Sequence, residues 1–207
     1  MKNSKRNFTL GLLGAATIPA WAQFSLPSLG GGSKSSGGAD PAKIEADLKS
    51  IIETTSIAVG KLAEALGLTE TAAKAQKVAD DIKSGKVGLA DSTSIVGDVS
   101  SSVKFEMEKK QNEGTKLDAA AGAVAAEALL PALMAFPLWK SVADGVKSLD
   151  RTAMMSAASL VQAASKVPAA AKGTLDMSQA TISYLSFSGA DTTSVQKQAE
   201  EAAKKLF

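Results

Sequence analysis

Serine and lysine fall at three-residue spacing twice, in Ser101-Ser102-Val103-Lys104 and in Ser194-Val195-Gln196-Lys197. On a helix that spacing sets an amine near a hydroxyl, which a serine nucleophile needs when lysine serves as its base. Acyl-transfer enzymes built this way also carry a Ser-Asp-Asn-like element and a Lys-Thr-Gly element, and the chain has neither. Both matches therefore read as a serine and a lysine on a solvated helix face. Asp80-Asp81 and Glu200-Glu201 pair two acids in sequence, whereas glycoside hydrolysis needs them paired across a substrate. Adjacent residues on a helix point in different directions, so neither pair makes a site alone.

Missing residue types narrow the chemistry further. The chain has no histidine and no cysteine. Ser-His and Cys-His nucleophiles are excluded, as are zinc sites of imidazole or thiolate and the Glu-x-x-His pairs of di-iron bundles. The triplet Gly30-Gly31-Gly32 lies in a Gly/Ser stretch rather than between a strand and a helix, so it is no phosphate loop. The expectation is a protein that is not an enzyme and takes no metal or cofactor.

Binding is the chemistry left. Ala119–Trp139 contains one charged residue, Glu127. The segment is long enough to cross a bilayer, with Trp139-Lys140 as an interfacial anchor. Three features favour a buried core helix over a membrane span or membrane-active hairpin. The segment is rich in alanine, so its transfer energy is weak. Glu127 at mid-depth costs about 2.5–3.5 kcal/mol on insertion scales. Pro131 and Pro137 remove the donors for the Glu127 and Leu133 carbonyls, which predicts a kink or break near Phe136-Pro137. Glu127 then either pairs inside the bundle or sits on a narrow wet strip. Met154, Met155 and Met177, with Phe136 and Phe187, can line an adaptable apolar pocket. The candidate ligand- or partner-binding residues are Glu127, Phe136, Trp139, Met154 and Met155.

The elements that must position these residues follow a leader. Lys2, Lys5 and Arg6 precede an apolar run from Phe8 to Ile18, and Ala20-Trp21-Ala22 supplies the small residues read by a signal peptidase. Cleavage is expected before Gln23, giving a periplasmic or secreted product. Removing residues 1–22 removes three cations and no anion, which takes the formal charge from +2 to −1. The basic balance belongs to the leader, and Arg151 is the only arginine left. Nucleic acid is therefore not an expected partner. Gln23–Ala39 reads as a flexible Gly/Ser linker.

Residues 40–207 read as one helical-bundle domain. Asp40 and Pro41 open a helix whose apolar stripe is Ile44, Leu48, Ile51, Thr55, Val59, Leu62 and Leu66, ended by Gly67. A second helix runs from Thr69 to Gly85 with Ala72, Ala75, Val78, Ala79 and Ile82 inward. A third starts near Asp91 on Val96, Val99 and Val103, with a solvated end at Glu106–Lys110 and a break at Asn112–Thr115. A fourth runs from about Lys116 to the prolines. A fifth spans Asp150–Val167, with Met154, Met155, Ala158, Val161 and Ala164 inward and Pro168 near its end. Leu175–Phe187 forms another, broken by Gly189, and Asp191 or Thr192 caps a last helix to Leu206. No alternating strand pattern occurs. The prediction is an all-α antiparallel bundle of about five to seven helices around the Ala-rich central one. Its expected function is to bind a partner protein or another envelope component. The alternative is a carrier holding a lipid or other apolar ligand in the bundle core, with peripheral membrane contact. Oligomeric state is left open.

Overall fold

Aspartates start several helices and glycines stop them. The computed structural model describes residues 39–206. Its elements are α1 (Pro41–Ala65), α2 (Thr69–Ser84), α3 (Leu89–Asn112), α4 (Ala119–Lys147), α5 (Arg151–Ser156), α6 (Ala158–Ala164), α7 (Val167–Ser188) and α8 (Thr193–Leu206). Among the described residues there is no strand. The expected leader, and all of the expected linker but Ala39, lie outside the described residues.

Asp40, Asp118 and Asp150 each accept a hydrogen bond from the first turn of the helix they precede, from the amides of Ala42, Ala121 and Ala153 at 3.0, 2.8 and 2.8 Å. These bonds satisfy amides that a helix start leaves without partners. At the other end, Gly85 and Gly189 adopt the left-handed backbone (φ +67° and +94°). There the Lys86 amide reaches back to the Asp81 carbonyl and the Ala190 amide to that of Leu185.

The core forms around α1, which packs against α2, α4 and α3. Every residue of its expected stripe is buried, from Ile44 to Leu66. The inward residues expected for the second helix and the three valines of the third are buried too. The Ala-rich α4 packs on α1, α7, α8 and α6, so it shares the central position with α1. Where α1 begins, α4 ends: a Cβ on Gly145 would lie 3.1 Å from Ile44 Cδ1. These two helices are therefore antiparallel.

The pair α3–α7 departs from the expected antiparallel plan. Gly97 lies by Ala170 and Gly173, Met107 by Thr181, and Gln111 by Ser183, so residue numbers rise together and the helices run parallel. Glycine lets them approach closely, since a Cβ on Gly173 would lie 3.2 Å from the Gly97 carbonyl oxygen. Hydroxyls in the seam bond back along their own helix: Thr174 to the Ala170 carbonyl, Ser178 to that of Thr174, and Thr181 to that of Met177, at 2.8–2.9 Å. At one end the Tyr184 hydroxyl donates to the Thr115 carbonyl at 3.0 Å, and the Leu117 amide donates to Ser188 Oγ at 3.1 Å. Burial, and then the Glu106 carboxylate, push the Tyr184 pKa up and keep this hydroxyl a donor.

Three boundaries correct the sequence reading. α4 does not end at the prolines but runs as one helix through both to Lys147, which excludes the break, though not the kink, expected near Phe136-Pro137. Phe136, Trp139, Val142 and Val146 stay buried across that point, and this packing outweighs the backbone bonds the prolines remove. Glu127, whose carbonyl loses its donor to Pro131, is exposed, so water can serve that oxygen. The expected fifth helix is two short ones, interrupted at Ala157 (φ −111°, ψ 39°). Its inward face is different in part. Val161 and Ala164 pack half-buried on the core as expected, beside buried Leu160 and Ala163 and half-buried Ala153 and Ala157, while Met154, Met155 and Ala158 face out. Alanine contributes so little burial energy that two neighbouring stripes were near-equivalent in sequence. Finally, Pro168 opens α7 instead of closing the helix before it, a position that suits its fixed φ and missing N–H.

Candidate functional site

The flanks of α2 and α3 that face neither α1 nor α7 diverge into a groove of 490 Å³, open to solvent along one side. Val78 and Val99, both buried, form its floor, with half-buried Val87 and Ile95 beside them. Thr71, Lys74, Lys77 and Asp81 rim it on α2, Asp98 and Ser102 on α3. Phe105 stands three residues beyond Ser102 and seven beyond Asp98, on the same face of α3, and is 67% exposed. It therefore continues the rim line of Asp98 and Ser102, one turn past the lined volume, rather than the Ile95–Val99 floor.

The rim charges are unevenly matched. Lys77 pairs with Asp81 one turn along α2. Lys74 and Asp98, on opposite walls, have no ion-pair partner among the described residues. The groove therefore presents an apolar strip between a free cation and a free anion. Its volume falls in the range of specific ligand sites, about 300–1,000 Å³.

The residues singled out in sequence are scattered. Phe136 and Trp139 are fully buried in the core. Glu127 is exposed on α4, along the wet strip that also carries Ala120, Ala123 and Val124. Met154 and Met155 stand on α5, 36% and 74% exposed. Met177 is buried in α7, and Phe187 lies half-buried against the Tyr184 ring and under Lys116. None of these lines the groove. Because Glu127 is wet, Glu127→Gln is expected to change stability by less than about 0.5 kcal/mol in urea denaturation. A larger loss would mean that its carboxylate holds a structural partner.

The Ser101–Lys104 motif and the Asp80-Asp81 pair are engaged by neighbouring residues. Ser101 Oγ donates to the Gly97 carbonyl at 2.9 Å, while Lys104 lies 3.7 Å from Glu108 and 4.0 Å from Asp176. Asp80 accepts from the Gln76 amide at 3.1 Å. Among the described residues no three acidic side chains gather where they could hold a metal ion.

Sequence reasoning missed the groove because a groove between helix flanks belongs to no single stripe. One signal was present. Phe105 sits off the Val96–Val99–Val103 stripe beside the charged run that follows it, where a plain solvated face would not place an aromatic. No protein-family model, no curated protein and no solved structure matches this chain.

Proposed function

We propose that the chain is an exported helical-bundle protein without enzymatic activity, and that it binds a partner protein in the groove between α2 and α3. The observation that carries this reading is the groove's make-up: a buried valine floor and unmatched charges on its two rims, with exposed Phe105 seven residues beyond the rim acid Asp98. Exposed aromatics beside apolar clefts are where binding energy concentrates in protein interfaces. The leader-like residues 1–22 support export, and the lack of histidine and cysteine supports a binding role. The carrier alternative has less behind it. Of the residues expected to line its pocket, Met154 and Met155 face out on α5, away from buried Phe136 and Met177, and the groove is open rather than enclosed.

A photo-crosslinking residue placed at Ser102 in the living cell tests this. One partner is expected to be captured from position 102 and not from exposed Gln179 on α7, and Ile95→Arg is expected to abolish the capture. The same products from both positions, or none from Ser102, would remove the docking role.

A further inference from the structure

Resting on that docking role, we infer that the groove receives an amphipathic α-helix of the partner, with a carboxylate on the flank that meets Lys74 and a cation on the flank that meets Asp98. The walls exclude the main alternative. Both are continuous helices, Thr69–Ser84 and Leu89–Asn112, whose interior amides and carbonyls bond along their own helix. An extended peptide laid between them finds no strand edge, and only the rim side chains of Thr71, Lys74, Lys77 and Ser102 to bond its backbone. A helix arrives with its backbone already satisfied and offers only side chains, which are all this groove can receive.

The dimensions agree. From Ile95 to Phe105 α3 advances about 15 Å at 1.5 Å per residue, close to three turns of a docked helix. Over that length a helix presents apolar residues at i, i+3 or i+4, and i+7, enough to cover Ile95 and Val99 on the floor, with Phe105 beside it on the rim line of Asp98. Polarity comes from the rims. Lys74 and Asp98, neither in an ion pair, stand on the two different walls of the strip. A helix with an acid on one flank of its apolar stripe and a base on the other matches both in one orientation and meets two like charges in the other. Exposed rim charges act mainly on orientation and selectivity, while the apolar floor and Phe105 supply affinity.

The test uses a displayed library of helical peptides of about eighteen residues, long enough to hold a helix. It has a fixed leucine seam and flank positions drawn from Glu, Lys and Gln. It is selected on the protein expressed from the full sequence and counter-selected on Ser102→Arg, which fills the groove from an exposed position. Enriched peptides are expected to carry Glu on one flank and Lys on the other. Lys74→Glu is expected to weaken them about tenfold, and the flank-reversed peptide to recover binding on Lys74→Glu/Asp98→Lys. Ser102-dependent binding indifferent to flank charge, or by peptides that stay extended when bound, overturns this inference and leaves the docking role standing. Self-association abolished by Ser102→Arg overturns it in favour of a second copy. If no Ser102-dependent peptide emerges while crosslinking from position 102 persists, the helix is the wrong occupant. If both fail, so does the docking role.

Discussion

Trp139→Ala is expected to cost about 3–5 kcal/mol, the largest loss of any single truncation in this chain. Trp139 is the largest fully buried side chain, set in α4 between Phe136 and Val142, which are also buried. Alanine removes the whole indole and leaves a cavity inside the packed core. Against a typical domain stability of about 5–15 kcal/mol, that approaches unfolding. In urea, the midpoint falls sharply with little change in slope. Trp139→Phe separates volume from polarity. The indole Nε1 has no hydrogen-bond partner among the described residues, so phenylalanine loses some packing but strands no acceptor. It is therefore expected to cost clearly less than alanine. An alanine variant within about 1 kcal/mol of wild type would show that this ring is not in the packed core.

Gly173→Leu is the second large effect, expected at about 1–3 kcal/mol or more. Here the damage comes from adding atoms. A Cβ at this position already lies 3.2 Å from the Gly97 carbonyl oxygen and 3.5 Å from its Cα. Backbone cannot rotate out of the way as a side-chain tip can, so leucine must force α3 and α7 apart. Gly173→Ala is expected to sit near zero, because relief of glycine's helix penalty of about 1 kcal/mol offsets the crowding. Gln179→Leu, on the exposed side of the same helix, is the control for added apolar bulk. Thermal unfolding of the three variants ranks them, and equal melting temperatures for Gly173→Leu and Gln179→Leu would contradict the close crossing.

How much of this was legible in sequence differed from helix to helix, for physical reasons. α1 and α2 carry Ile, Leu and Val, or alanine against clear charge, at helical spacing, with Asp40-Pro41 at one end and Gly67 and Gly85 as stops. Their boundaries and buried faces followed directly. Residues 151–166 are mostly Ala, Ser and Met with few charges, so burying one stripe or its neighbour costs nearly the same, and the expected stripe holds at Val161 and Ala164 but not at Met154, Met155 and Ala158. Pro131 and Pro137 have a local effect that sequence shows and a tertiary compensation that it does not. The parallel α3–α7 pairing and the α2–α3 groove depend on which helices meet, and no periodicity within one helix encodes that. Of the candidate site, only Phe105 left a trace.

The α3–α7 seam also dictates an order of assembly. Thr181 meets the Met107 sulfur across 74 residues, and Tyr184 meets Thr115 across 69. α1 and α2, by contrast, are joined by a short link and close as a hairpin. Long closures are entropically delayed relative to short ones. A chain emerging N-terminus first therefore forms the α1–α2 hairpin early, while the glycine–serine face of α3 waits, uncovered, for a mate that has yet to arrive. Pulse-labelling hydrogen exchange during refolding is expected to protect amides of α1 before those of α7, and simultaneous protection would contradict that order. In the interval α3 is a half-finished surface, and an early stop before Val167 would leave it permanently so. Such a truncated product retains the groove residues yet lacks the helix that holds their far side in place.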